Sequence, residues 1–269
     1  MHRFMLLVGM GYAVLAAAAC GAKPTRPIGA AAVANAADRV RELLAEGHPA
    51  DETDEYGVTP LMWAARHNAV HAMAVLLDAG ADVNARDTDN RWTPLLHAIH
   101  RQRADAVALL LERGADPNMA TPSGVTPLMM AADDARPAMV KVLLEYGADP
   151  RVAGPGGATA FTQAVSGGAL SDVTDRPLLG GCHPETVRAF LAHDPGLRIP
   201  SNFAGRHAIW WAQFHGCEDV LRMVGFDQVS AAHQAIAGVG LMREAMGPPK
   251  PQSTPEGATS RDPKPQDGR

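Results

Sequence analysis

Two histidines three residues apart, His97 and His100, are the first residues in this chain whose spacing suggests chemistry. On a helix, this spacing places both imidazoles on one face, where they could share a metal ion. A closed zinc site needs four ligands, and no Cys, Asp or Glu stands at a ligand-like spacing beside the pair. We therefore predict no metal site and interpret the two histidines as a solvated pair on a binding surface.

A glycine-rich run at 154–157 is a second candidate, because such runs can hold phosphate groups. It lacks the Lys-Ser/Thr pair that reaches the phosphates, so we interpret it as a turn. No serine has the context of a nucleophile elbow, and no acidic pair has a setting for acid–base catalysis. The sequence therefore predicts a protein that is not an enzyme and has no cofactor.

The composition favours closely packed small helices. The chain is 46% hydrophobic and only 5% aromatic, whereas a β-sandwich needs many β-branched and aromatic residues. The net charge is -5, and phosphate binding requires a basic face. We therefore expect no nucleic-acid partner.

The first nineteen residues have the pattern of an export signal. A short positive start is followed by the uncharged stretch Phe4–Ala19, which is too short for a membrane span of about 20 residues. Small residues precede Cys20, an arrangement similar to the lipobox of bacterial lipoproteins. We expect cleavage after residue 19, a lipidated Cys20 and a tether at 20–26. Ordinary cleavage would instead leave a soluble periplasmic protein.

Internal repetition is the strongest pattern in the sequence. Segments that start with Thr and continue with apolar and small residues recur about every 33 residues: Thr59–Ala65, Thr93–Ile99, Thr126–Ala132 and Thr159–Val165. After each of the first three comes an apolar segment that ends in Gly-Ala-Asp. Thr is a helix N-cap, Pro is tolerated in the first turn, and Gly favours the residue after a helix. Each unit therefore predicts two short helices that must stack on neighbouring units.

These segments resemble the ankyrin repeat, whose pattern includes Thr-Pro-Leu-His-x-Ala-Ala and, later, Leu-Leu-x-x-Gly-Ala-Asp. The resemblance implies an all-α solenoid of helix-turn-helix repeats with β-turn or hairpin loops, in a protein that binds other proteins. The family's His is absent, and its position is occupied by Met62, Leu96, Met129, Thr162 and Trp210. Because that His usually ties neighbouring loops, we expect looser loops here.

Shifting the pattern outwards extends the predicted array to about six repeats within residues 27–246. Residues 27–50 form a degenerate capping repeat, and an insert at 166–183 interrupts the fifth repeat between its helices. A closing helix is predicted at 230–246. The tail at 247–269 is rich in Pro, Gly and charge, so we expect it to be disordered.

Two cysteines remain once Cys20 is assigned to the lipid. Aligning the repeats places Cys217 in the turn between the helices of the last repeat and Cys182 at the equivalent turn of the preceding repeat. Repeats stack at about 10 Å, and an irregular loop can close that gap. We therefore predict a Cys182–Cys217 disulfide in an oxidising compartment, with two unpaired thiols as the alternative.

The resemblance implies a partner-binding concave face made of first helices and loop tips. The side chains predicted to contact the partner are Tyr56, Trp63, Arg66, Trp92, His97, His100, Met130, Asp133, Trp211 and Phe214. Exposed aromatic residues are typical of interface hot spots. For Trp210 we predict a core position against the closing helix.

The sequence thus predicts a monomeric protein–protein interaction module in the bacterial cell envelope. It would be attached to a membrane by the lipid on Cys20 and would bind an unidentified envelope protein. The alternatives are a structural scaffold lipoprotein and a hydrolase with a site in the insert.

Overall fold

The computed structural model of the protein describes residues 23–167 and 181–226. The predicted signal peptide, closing helix and C-terminal tail lie outside the described residues, as do most of the insert and Cys20. Throughout the described part, the regular structure is helical and contains no β-strand. The all-α prediction is therefore confirmed.

The described helices form six consecutive pairs, one pair for each predicted repeat. The helices are α1 Pro27–Val33 and α2 Ala37–Ala45, α3 Pro60–Arg66 and α4 Val70–Asp78, α5 Pro94–His100 and α6 Ala104–Glu112, α7 Pro127–Asp133 and α8 Pro137–Glu145, α9 Ala160–Ser166 and α10 Pro184–His193, and α11 Phe203–Phe214 and α12 Glu218–Met223. We number the repeats one to six in this order. The run at 154–157 forms a turn, with a short 3₁₀ segment at Pro155–Gly157.

Threonine side chains start the first helices of the four central repeats. Thr59, Thr93, Thr126 and Thr159 each accept a hydrogen bond from the backbone N–H three residues on. Proline follows in three of these repeats, where its missing N–H has no helical partner to lose. Capping by a threonine contributes about 1 kcal/mol, which matters for helices of seven residues.

The core is formed by apolar residues from both helices of each pair, above all alanine and leucine. Leu61, Leu95 and Leu128 on the first helices are completely or almost completely buried, as are Leu76 and Leu110 on the second helices. Truncating one such leucine to alanine typically costs about 2–5 kcal/mol. In the fifth repeat, phenylalanines replace leucines: the rings of Phe161 and Phe190 meet edge to face at 5.7 Å.

A left-handed glycine follows the second helix of the second, third and fourth repeats, two residues after the helix ends. Gly80, Gly114 and Gly147 have φ of 86°, 88° and 85°, a conformation that other residues adopt only with strain. The chain then turns back to begin the next first helix. Repetition of this path produces the stacked helical solenoid that the sequence predicts.

Candidate functional site

A hairpin-like loop, here called a finger, precedes each central first helix. The backbone N–H of Asp54 donates to the carbonyl of Val58 at 3.2 Å, and the backbone N–H of Asp87 donates to the carbonyl of Trp92 at 3.0 Å. The two later fingers are closed from Thr121 to Val125 at 2.9 Å and from Gly154 to Ala158 at 2.7 Å. Fingers of this kind present the loop tips on which the predicted binding surface depends.

Asp54 ties the second repeat's finger to its first helix. One carboxylate oxygen accepts the backbone N–H groups of Tyr56 and Val58, at 3.0 and 2.9 Å. The other accepts the indole N–H of Trp63 at 2.9 Å. Because Asp54 is buried, these three donors compensate a carboxylate that would otherwise be costly to remove from water.

Asp87 does the same in the third repeat, with a histidine as its helical partner. Its carboxylate accepts the backbone N–H groups of Asn90 and Trp92, at 2.9 and 3.2 Å. The other oxygen lies 2.8 Å from Nε2 of His97. This arrangement holds the longest of the four fingers against α5.

Both groups of this pair titrate below their ordinary ranges. Burial lowers the pKa of the His97 imidazole and outweighs the opposing influence of Asp87. Burial alone would raise the pKa of the Asp87 carboxyl. The hydrogen bonds from His97, Asn90 and Trp92 outweigh burial, so the pKa of Asp87 is lowered overall. At neutral pH His97 is therefore uncharged, and its Nε2–H donates to an ionised Asp87.

The expectation of looser loops is therefore wrong for these two fingers. The family's His is missing, but the next residue along the helix provides the donor, as Trp63 or His97. In the fourth repeat the Thr121 hydroxyl accepts the N–H of Val125 at 3.1 Å. In the fifth repeat, Gly154 occupies the position that Asp54 has in the second. A Cβ atom at residue 154 would stand 2.8 Å from Sδ of Met129 and 2.9 Å from the Gly124 carbonyl oxygen, which is too close for any side chain.

Four predicted contact residues are not on the surface. The exposed fractions are 1% for Trp63, 6% for Arg66, 6% for His97 and 3% for Met130. Trp63 is held by Asp54, and the Arg66 guanidinium lies 4.5 Å from the centre of its ring. Met130 belongs to the apolar core. The surface assignment of these four residues, and the solvated interpretation of His97, are therefore wrong.

The other predicted contact residues retain some exposure. Tyr56 is 40% exposed at a finger tip, while Trp92, His100, Asp133, Trp211 and Phe214 are half-buried. The indole of Trp92 packs against His97 and His100, with ring centres 5.4 and 5.1 Å apart. Trp92 is thus fixed in orientation and still presents part of its ring.

A column of aromatic rings runs along α11, and sequence reasoning missed it. Phe203 stacks on His207 at 5.5 Å, His207 on Trp210 at 6.0 Å, and Trp210 on Phe214 at 5.4 Å. Trp211 adjoins the column, and its indole N–H donates to Nε2 of His207 at 3.2 Å. The spacing of four, three and four residues, which places side chains on one helical face, was the available signal. We call Phe203, His207, Trp210 and Phe214 the aromatic column.

Burial keeps the aromatic column apolar. It lowers the pKa of His207, and it also lowers that of His215, which stacks on Trp211 at 5.5 Å. His207 accepts the indole hydrogen of Trp211 through Nε2, which requires an uncharged ring. Trp210 is half-buried, and its predicted packing against the closing helix stays a prediction, because residues 230–246 lie outside the described residues.

Polar side chains link the inter-helix turns of successive repeats. Asn35 accepts the N–H of Ala72 at 3.0 Å, and Asn68 accepts that of Ala106 at 3.0 Å. Gln102 accepts a hydrogen bond from Arg136. Each acceptor lies one residue before the N-cap of its own second helix, and its partner lies in the first residues of the next repeat's second helix or its N-cap. We call these links rungs.

Cys182 and Cys217 are joined by a disulfide, with Cα atoms 5.2 Å apart. Cys182 is the residue before the N-cap of α10, and Cys217 is the N-cap of α12. The bridge therefore occupies the position of a rung between the fifth and sixth repeats. Closing a loop with a sequence separation of 35 contributes about 3–4 kcal/mol in the chain-entropy model.

The described residues contain shallow clefts and no metal-binding cluster. One cleft of about 280 Å³ is lined by residues that include Arg151, Phe161 and Arg198, and another of about 300 Å³ adjoins the disulfide. No group of three His, Cys, Asp or Glu side chains converges within residues 23–167 and 181–226. None of the described helices is both long and apolar enough to cross a membrane.

Six stacked helix pairs with fingers between them define a solenoid of the repeat class. The family model for ankyrin repeats matches in three copies, at residues 12–87, 28–121 and 86–154, which together cover more than half of the chain. The chain belongs to the ankyrin-repeat family, whose members are protein–protein interaction modules. No curated protein matches it.

Proposed function

We propose that the protein binds a partner protein in the bacterial cell envelope. In this proposal, a lipid on Cys20 attaches the protein to a membrane of the envelope. The support for this location is the uncharged stretch Phe4–Ala19, which ends in small residues directly before Cys20. The partner lies along the fingers and the row of first helices. Its contacts include Tyr56, Trp92, His100, Asp133, Phe203, Trp211 and Phe214.

The aromatic column is the observation that carries this proposal. Phe203 is 60% exposed, and the three rings stacked behind it are half-buried. Large aromatic rings fixed in place lose little conformational entropy on binding, so they are typical anchors of an interface. Tyr56 and Trp92 extend this surface to the fingers of the second and third repeats.

The tied fingers contribute by holding the contact residues in place before the partner arrives. Tyr56 and Trp92 lie within fingers that Asp54 and Asp87 fasten to their helices. A loop that is already ordered does not incur the cost of ordering on association. The affinity of the module therefore depends on buried hydrogen bonds as well as on the contact residues themselves.

Site-specific photo-crosslinking in the native cell tests the surface. A photoreactive residue replaces Tyr56 or Phe203, and the matched control replaces Tyr146, which is 44% exposed just after α8. We expect one adduct of the same mass from positions 56 and 203 and none from 146. An adduct from 146 alone, or none from 56 and 203, would contradict the assigned face.

Fractionation tests the location separately. The wild-type chain is expected to incorporate labelled fatty acid and to sediment with membranes, whereas Cys20→Ala should do neither. Cys182→Ala is the matched cysteine control and should keep the label. If the wild-type protein takes up no fatty acid, the lipid anchor is wrong; the crosslinking experiment tests the binding surface independently of this result.

A further inference from the structure

The covalent rung lies at the last described repeat of the solenoid. Internal repeats bury the residue after Pro-Leu beneath the next repeat: Met62, Leu96, Met129 and Thr162 are at most 1% exposed. Trp210 holds that position in the sixth repeat and is half-buried. Among the described repeats, the sixth therefore has a stacking neighbour on one side only.

The turn of the fourth repeat has no acceptor side chain at the position where the first three repeats have one. Ala135 stands where Asn35, Asn68 and Gln102 stand in the first three repeats, and its methyl group can accept no hydrogen bond. The disulfide is therefore the next side-chain rung after the one between Gln102 and Arg136. Its removal leaves the fifth and sixth repeats without a covalent link, held by the packing of α9 on α11 and by contacts such as the hydrogen bond from the Asn202 side chain to the Gly157 carbonyl at 2.8 Å.

The two sulfurs differ in accessibility. Cys182 is exposed, whereas Cys217 is 3% exposed and belongs to the apolar core. The cleft of about 300 Å³ beside the bridge is open to solvent and is lined by Pro184, Glu218 and both cysteines. An attacking thiolate can therefore approach Cys182 more readily than its partner.

We propose that the Cys182–Cys217 bridge is a redox latch: a dithiol reductant opens it and releases the sixth repeat from the solenoid. A thiolate of the reductant attacks Sγ of Cys182, the disulfide breaks, and the electron pair leaves on Cys217, which takes a proton. The second thiol of the reductant then displaces Cys182 as a thiolate, which is also protonated. The dithiol is oxidised to a disulfide, and two cysteine thiols remain.

Opening the latch changes two surfaces together. The aromatic column leaves with α11, and the face of α9 that packs against α11 becomes accessible, including Thr162, now completely buried. Because the aromatic column is part of the proposed binding surface, the effect on partner binding rests on that proposal. The release itself does not, since it concerns contacts within this chain.

Hydrogen exchange on the full chain tests the release without any partner. Cys20→Ala is present in every sample, so that Cys182 and Cys217 are the remaining cysteines. On reduction with a small dithiol, we expect amide exchange in 203–226 to accelerate at least tenfold while α3–α6 change less than twofold. Unchanged exchange in 203–226 would overturn the latch, whatever the outcome of crosslinking.

Two comparisons make the test specific. Cys182→Ser should show the fast exchange of 203–226 with or without reductant, whereas Asn68→Ala, which removes a hydrogen-bonded rung, should keep a redox-dependent response there. A monothiol probe should form its mixed disulfide on Cys182, as read by peptide mass. Labelling of Cys217 instead, or slow exchange in oxidised Cys182→Ser, would overturn the proposal.

Discussion

Buried carboxylates determine which side chains of the first helices reach the surface. Trp63 and His97 occupy the helix position that the family resemblance places on the concave face, but each turns back to an aspartate in its own finger. A buried carboxylate with three donors is strongly held, since loss of any donor leaves charge uncompensated. Hydrogen bonding at single residues thus converts two expected contact residues into supports for the fingers.

Removal of Asp54 measures this support directly. Asp54→Ala leaves the indole N–H and two backbone N–H groups without their acceptor, so we expect a loss of about 2–4 kcal/mol in the free energy of unfolding. Urea denaturation of the purified chain gives the value. Asp89→Ala, at the exposed tip of the next finger, is the control and should change stability by less than about 0.5 kcal/mol.

The Asp87–His97 pair makes stability depend on pH. The pKa of His97 in the folded chain is below its ordinary 6.5, so the unfolded chain binds the proton more readily. Its contribution is complete above about pH 6.5 and is lost as pH falls below that value. Asp87, whose pKa is below 3.8, adds a second loss in stronger acid.

The His97→Gln variant isolates the first of these losses. The free energy of unfolding of the wild-type chain should fall more steeply between pH 6.5 and 5 than that of the variant. The difference in slope should reach at most about 1.4 kcal/mol per pH unit. His207 and His215 contribute in the same direction in both proteins, and exposed His193→Gln is the control. Equal slopes for wild type and His97→Gln would contradict the assignment.

At the level of helices and turns, the rungs explain why Asn occurs between paired helices. Asn35 and Asn68 have φ of 53° and 59°, a left-handed conformation that Asn tolerates better than most residues. Their side chains at the same time accept a backbone N–H of the next repeat. One residue type therefore provides both the turn and the inter-repeat link.

Substitutions at equivalent turns should have opposite effects. Asn68→Ala removes a rung and places a methyl group in a left-handed turn, so we expect a loss of about 1–2 kcal/mol. Ala135→Asn relieves the same strain at φ of 53° and should gain about 0.5–1 kcal/mol. Chemical denaturation of both variants checks the pair. A loss of stability in Ala135→Asn would show that the turn conformation is not the dominant contribution.

The sequence predicts the helices better than it predicts their surfaces. The caps at Thr59 and Thr93 and the glycine after α4 are local signals, so the helix pairs could be placed from the pattern alone. The orientation of Trp63 depends on an aspartate nine residues earlier, which the repeat pattern does not encode. The first helix of the sixth repeat departs from the pattern, since Asn202 instead of Thr caps α11 and the helix is 12 residues long.

At the scale of the whole solenoid, stability should decrease towards the ends. Each repeat contacts its neighbours only, so a terminal repeat has about half the stacking area of an internal one. The first repeat also begins with the alanine-rich helix α1 and has no side-chain cap at either helix. Local unfolding should therefore begin there when the disulfide is intact.

Native-state hydrogen exchange can resolve this gradient. In the oxidised chain we expect amides of α1 and α2 to exchange at least tenfold faster than those of α5 and α6. The comparison uses one sample, so solvent conditions are identical for both regions. Equal protection along the chain would instead indicate that the solenoid unfolds as a single cooperative unit.

The close approach at Gly154 limits how far these repeats are interchangeable. An engineer who aligns the units would place aspartate there, as at the equivalent positions 54 and 87. That side chain would overlap Sδ of Met129 and the Gly124 carbonyl oxygen, so the substitution that improves one unit would damage another. A design that replaces residues by the repeat consensus, or that transplants single repeats, therefore has to keep the fourth and fifth repeats together as one unit.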